Sequence, residues 1–315
     1  MSGYPVAERV IGRIAAPAPG ASVVVGAGIH GNEPAGIHAA ERVLAALSSG
    51  AVDVRGGELV VLAGNVAALR RGERYLARDM NRGWTDARLA RLRRGDAQDA
   101  EDREQMELLA ALDAVAGRAR GPVHLADLHT SSAAGVPFVL FRASEEQRAF
   151  VSAFPIPVIS GIVEQVEGVL SEHACARGFI AFSVEGGQHD APESCDSLEA
   201  ILWITLRRAG IVGACDEVDN AERVLRSMRG DLPGAVEVIA RHAITQEDAF
   251  VMERGFRNID RVKKGDLLAH DRSGEVRAHE DGVVVLPLYQ KLGNDGFFWG
   301  REVVDVSRSA PGSSR

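Results

Sequence analysis

Ser22-Val-Val-Val-Gly26-Ala-Gly-Ile-His30-Gly-Asn-Glu33-Pro34 is where this chain declares its architecture. The apolar run from Ser22 reads as a buried strand. Pro34 to Leu47, with proline in the first turn and alanines and leucines after it, reads as the helix that follows. The turn between them carries an imidazole and a carboxylate three residues apart. Both are borderline ligands that suit zinc better than calcium or magnesium. The plainer alternative is a helix start whose Glu33 interacts favourably with the helix dipole. Far downstream, Val123-His-Leu-Ala-Asp-Leu-His129 is a second apolar strand that ends on a histidine. His30, Glu33 and His129 together form a ligand set with one tetrahedral position left open, which is the mark of a catalytic zinc and not of a structural one.

Working outward, strand and helix signals alternate over the first two hundred or so residues, as in a layered α/β fold with a mixed sheet flanked by helices. Glu58-Leu-Val-Val-Leu-Ala is a strand, and the arginine-rich stretch from Arg70 to Trp84 is too long and too charged to be a simple connection. A helix is expected from about Asp99 to Ala116, then the strand to His129, a strand at Pro137 to Phe141, and another from Phe179 to Glu185. Ligands of open α/β sheets collect beyond the carboxyl ends of strands, and His30, His129 and Glu185 all lie just past such ends. Ser197 to Ala209 reads as a further helix and Cys215 to Asn220 as a linker. From about Pro233, short apolar runs broken by Gly-Asp, Ser-Gly and Asp-Gly suggest a small β domain built from hairpins. The expected division is residues 1–215, residues 216–306, and a disordered tail at 307–315.

With 315 residues, 46% of them apolar, the chain can bury one large core and support a smaller second domain. Its net charge of −8 disfavours nucleic acid and anionic membranes as partners. Arginines near the proposed site inside an acidic protein point to a small anionic ligand held by specific contacts. No apolar run is long enough to span a bilayer, and the first residues lack the order of a signal peptide, so the expected location is the cytoplasm. Cys175, Cys195 and Cys215 are an odd number without close spacing and read as free thiols.

Individual side chains sharpen the picture. Glu185 ends an apolar strand, where an ionised carboxylate is costly unless a metal, water or cation receives it; the alternative is a salt-bridged strand end. Asp127 lies two residues before His129 on the same strand face, placed to orient a ligand or to pair with any nearby donor. His124 faces the other way and reads as structural.

Gly28-Ile-His30-Gly-Asn-Glu33, Arg74-Tyr75, Asp79-Met-Asn81-Arg82, Asp127-Leu-His129-Thr130 and Val184-Glu185-Gly-Gly resemble, in order, the motifs of the succinylglutamate desuccinylase and aspartoacylase family. That family is a deacylase branch of the zinc carboxypeptidase superfamily. The likeness covers the first two-thirds of the chain, and the β-rich remainder resembles the family's second domain. It implies a zinc-carboxypeptidase-like catalytic domain and one zinc ion per chain, held by His30, Glu33 and His129. It also implies Glu185 as general base, Arg74 as the group that polarises the scissile carbonyl, and Asn81 and Arg82 as substrate-binding residues. Arg177 lies near, though not at, the position of a further substrate arginine, and Asp79 is placed to hold one of these side chains. The substrate class implied is a small anionic N-acyl amino acid, and a homo-oligomer is left open. Two rivals share the scaffold: a zinc carboxypeptidase acting on peptides or cell-wall fragments, and a non-catalytic metal-binding protein. One departure stands out: aspartoacylase has a substrate-binding tyrosine near its C-terminus, whereas the comparable stretch here reads Asn294-Asp-Gly-Phe-Phe-Trp299, with Tyr289 several residues too early.

Overall fold

The structure is a computed structural model that describes Tyr4 and residues 8–303. The expected tail at 307–315 lies outside the described residues. In chain order the elements are β1 (Val10–Ala15), β2 (Ser22–Ala27), α1 (Ala35–Ser48), β3 (Glu58–Ala63), α2 (Val66–Arg71), α3 (Asp86–Arg93), α4 (Ala100–Arg118), β4 (Val123–Ser131) and β5 (Phe138–Phe141). Then come α5 (Glu145–Val151), β6 (Val158–Ser160), α6 (Leu170–Ala176), β7 (Ile180–Gln188), α7 (Pro192–Arg208) and α8 (Asp216–Arg229). The last stretch is β8 (Ala235–Ala243), β9 (Val251–Met252), β10 (Asp260–Val262), β11 (Leu267–Asp271), β12 (Gly274–Arg277), β13 (Gly282–Val285) and β14 (Asp295–Glu302).

Eleven strands form one mixed sheet in the order β1-β3-β2-β4-β7-β5-β6-β8-β14-β13-β10. Strands β3, β2, β4 and β7 run parallel at its centre. Because helices cover both faces there, these strands are buried at nearly every position and do not alternate between core and solvent. Successive side chains of β2 divide between the two layers: Val23, Val25 and Ala27 join the core on one face, and Val24 joins the core on the other. β3 divides in the same way, with Leu59, Val61 and Ala63 on the first face and Val60 and Leu62 on the second. The first core also holds buried residues of α1, α7 and α8, and the second those of α3 and α4.

Two expectations need correction. Cys215 to Asn220 is not a linker: Cys215 precedes α8, whose first turn holds Asp216, Glu217 and Asp219 beside the positive end of the helix dipole. Those acids make the start read as loop, while Val218, Ala221 and Leu225 bury one helical face. The β-rich C-terminal segment also does not stand wholly apart. β8 pairs in parallel with β6, so β8, β14, β13 and β10 extend the main sheet, and only β12, β11 and β9 form a separate sheet. Among the described residues no helix is long and apolar enough to cross a membrane.

Candidate active site

At the carboxyl end of β2 the backbone turns through Gly28, whose φ of 72° favours glycine. Gly31 follows His30, and a Cβ there would lie 2.2 Å from the Ala68 carbonyl carbon and 2.5 Å from the Glu73 carbonyl oxygen. A side chain at this position would therefore push the turn away from the backbone at the end of α2. The result is a tight loop that presents His30 and Glu33 to one point. His30 Nδ1 lies 2.9 Å from Glu33 Oε1, and His129 Nδ1 at the end of β4 lies 3.1 Å from Glu33 Oε2. The Thr130 amide also donates to Glu33 Oε2, at 3.1 Å.

Each imidazole is held from behind by a second carboxylate. His30 Nε2 is 3.1 Å from Asp79 Oδ1, and His129 Nε2 is 3.0 Å from Asp127 Oδ2. This pattern orients metal-binding histidines and fixes their tautomer. One donor atom from each of His30, Glu33 and His129 lies within 4.8 Å of the others, and all three side chains are buried. Two imidazoles, one carboxylate and an open side fit a four-coordinate zinc ion.

Glu185 arrives on the neighbouring strand, in register with His129 across the β4–β7 pairing. It lines the same cavity as the three ligands, and its buried Oε2 has no hydrogen-bond partner. Burial, with Glu33 adding to it and His129 and Arg74 opposing, pushes its carboxyl up to about 8. Burial pushes Glu33 the same way, but His30 and His129 outweigh it and hold that carboxyl well below the usual range. At His129 burial disfavours the charged form, and Asp127 with Glu33 reverses the effect, raising the imidazole well above its ordinary value. At Asp79 burial is likewise overcome, here by His30, Arg74 and Arg82, and the carboxyl is held low. Neighbouring carboxyl groups in one cavity thus have sharply different proton affinities, as in sites that do acid–base chemistry.

Between α2 and α3, the arginine-rich segment supplies the other wall. Arg74 donates to Glu33 Oε1 at 3.3 Å and to Asp79 Oδ2 at 3.2 Å. Asp79 caps a short 3-10 turn at Met80–Arg82 by accepting from the Asn81 amide. Asn81 sets its side chain 3.3 Å from His129 Nε2 and accepts from the Leu170 amide. Arg82 donates to Asp295 Oδ2 at 2.7 Å, and Arg241 donates to the same carboxylate.

Arg177 is not brought to this group. It ends α6, pairs with Asp113 on α4, lies over the Phe179 ring, and is not among the cavity-lining residues. Its ion pair with Asp113 holds it against α4, so its proximity in sequence to the Glu185 strand does not become proximity in space. Tyr289 also points elsewhere, donating its hydroxyl to the Glu253 carbonyl, while Asn294 and Asp295 line the cavity. The sequence had singled out neither the Thr130 amide nor the Asp295 carboxylate. A backbone donor leaves no mark in sequence, and Asp295 meets Arg82 only because β14 joins the sheet.

The profile of the succinylglutamate desuccinylase/aspartoacylase catalytic domain matches residues 19–195, more than half of the chain. The chain belongs to that family. Membership makes it an amide-cleaving hydrolase of the N-acyl amino acid deacylase kind. Among the relatives, the succinylglutamate desuccinylase of Burkholderia pseudomallei strain 1710b is 42% identical, over 84% of this chain and 75% of that one. The family's fold recurs in a succinylglutamate desuccinylase/aspartoacylase of Rhodobacter sphaeroides, with a TM-score of 0.67 and 16% identity over 91% of this chain and 86% of that one. It recurs again in the product-bound ectoine utilization protein EutE (DoeB) of Ruegeria pomeroyi, with a TM-score of 0.63 and 22% identity over 92% and 87% of the two chains.

Proposed function

We propose that this family member is a zinc-dependent hydrolase that cleaves the amide bond of a small N-acyl amino acid into a carboxylic acid and an amine. The observation that carries the reading is Glu185: a buried carboxyl with an unpartnered oxygen, in one cavity with His30, Glu33 and His129. When held by those three residues, zinc supplies Lewis acidity that polarises the amide and acidifies water.

The chain's own residues do the rest. Glu185 takes a proton from the attacking water and returns it to the departing amine nitrogen, and its raised proton affinity suits both halves of that transfer. Arg74, fixed by Glu33 and Asp79, keeps its positive charge where negative charge develops on the carbonyl oxygen. Asp79 and Asp127 hold the imidazoles, and Asn81 braces His129. Arg82 lines the cavity and takes the substrate carboxylate. The β-rich C-terminal segment narrows the entrance: Leu286 and Leu288 of the loop between β13 and β14, and Asp295 at the start of β14, wall the cavity. Such a wall favours small substrates over peptides.

The test is Glu185→Gln, measured for metal content and for turnover over a panel of N-acetyl and N-succinyl amino acids. Metal content is expected to stay at the wild-type level while turnover falls by about 10²–10⁴-fold. Equal turnover in the two proteins refutes the base assignment.

A further inference from the structure

Beside the polar groups of the site the cavity has a hydrocarbon lining. It includes Leu140, Ile162, Val166, Leu286, Leu288 and Phe298, and five of these belong fully or in part to the core cluster behind β5, β6 and β13. The polar end holds two guanidinium groups, Arg74 and Arg82, against the carboxyl groups of Glu33, Asp79, Glu185 and Asp295. Both arginines already donate to carboxylates, Arg74 to Glu33 and Asp79 and Arg82 to Asp295. Arg241, behind the lining, also donates to Asp295, so all three guanidinium groups are already engaged by carboxylates and a substrate with several carboxylates would have to compete for each of them.

One residue of the apolar wall is held there under strain. Leu286 has φ of 52°, a left-handed conformation that costs a non-glycine residue roughly 1 kcal/mol or more. Buried Asn258 fixes it: Asn258 Oδ1 accepts from the Leu286 amide at 2.8 Å, while its Nδ2 donates to Ser131 Oγ at 2.9 Å. Ser131 is two residues beyond His129 on β4, so the wall is tied to the strand that carries a metal ligand. Strain of this kind persists where surrounding structure over-determines it, and it gathers at ligand-binding positions.

We propose that the substrate carries a single carboxylate and, beyond the scissile amide, an uncharged apolar group that seats on the wall of Leu140, Ile162, Val166, Leu286, Leu288 and Phe298. The proposal rests on the amide-hydrolase reading above and narrows its substrate class. The apolar group belongs either to the amino-acid side chain or to the acyl chain. A second carboxylate in its place would be stripped of water against hydrocarbon, where none of the described residues that form the wall is cationic. On this account the chain handles a different substrate from the relatives named for succinylglutamate.

Binding is measured by calorimetry on zinc-loaded Glu185→Gln, with two matched pairs: N-acetylleucine against N-acetylaspartate, and N-pentanoylalanine against N-succinylalanine. In at least one pair the apolar member should bind about tenfold tighter or better. That preference should shrink toward parity when Leu286→Asn or Leu288→Arg is added. Asparagine tolerates the left-handed backbone, and Leu288 is only partly buried, so neither change depends on remaking the core. Tighter or equal binding of the dicarboxylate in both pairs overturns the proposal, as does binding of none of the four, or a preference that both substitutions leave intact. Turnover of the same compounds by the wild-type protein reads the hydrolase proposal separately. Hydrolysis with a dicarboxylate preference would sink only the apolar wall, and selective binding without hydrolysis would sink only the hydrolase.

Discussion

Replacing Glu101 with alanine should damage the site without touching any residue in it. Glu101 lies in the first turn of α4 and is fully buried. Its Oε1 accepts from the Leu76 amide at 2.7 Å and from Asn65 Nδ2 at 3.1 Å, and its Oε2 accepts from the Ala77 amide at 3.0 Å. The Leu76 and Ala77 amides belong to the segment that runs from Arg74 to Asp79, so one carboxylate ties the site's irregular loop to a long helix. Glu101→Ala leaves three donors without an acceptor. At roughly 1 kcal/mol or more for each buried orphan, with partial rescue by entering water, the loss is about 3–5 kcal/mol. Set against a total stability of about 5–15 kcal/mol for a typical domain, that is a large share. Glu101→Gln keeps one oxygen and turns an amide donor toward another donor, so it should cost about 1–3 kcal/mol. Urea unfolding with linear extrapolation measures both values, and hydrogen exchange at Leu76 and Ala77 should quicken in the folded alanine variant. A Glu101→Ala protein within about 1 kcal/mol of wild type would refute the reasoning, because it would mean that the three bonds contribute almost nothing net.

Two further perturbations probe other links. Burial alone pushes the His124 imidazole down to about 4, whereas in the unfolded chain it titrates near its ordinary value of about 6.5. The unfolded state therefore binds more protons between those values, and stability present above about pH 6.5 is lost as pH falls toward 4. His124→Leu should remove about 2.5 kcal/mol of the stability loss seen between pH 7 and pH 4.5, and parallel acid slopes in the two proteins would count against it. Gly31→Ala forces a Cβ into the Ala68 and Glu73 backbone, so zinc affinity, read by competition with a chelator, should fall about tenfold or more. Wild-type affinity would show that the turn has slack the geometry does not reveal.

The central strands were legible because β2, β3, β4 and β7 are covered on both faces and so read as mainly apolar runs with few polar interruptions in their first halves. The residues at their ends were legible for the same reason: His129 and Glu185 interrupt hydrocarbon, where a polar group needs a purpose. What could not be read depends on distant pairing. Nothing local to Ala235–Ala243 says that it will lie beside Val158–Ser160, and that pairing is what brings Asp295 and Leu286 to the cavity. The acids of α8 masked its start, and Arg177 stood close to Glu185 in sequence while facing another layer.

The central claim is that the ends of β2 and β4 meet around a single divalent ion beneath Glu185. Anomalous diffraction from crystals of the purified protein, collected on either side of the zinc edge, tests it most directly. One peak is expected per chain, with a nitrogen of His30, a nitrogen of His129 and an oxygen of Glu33 each about 2.0–2.2 Å away. A peak anywhere else in the chain, or these three side chains ordered about no metal in zinc-supplemented crystals, would contradict the account.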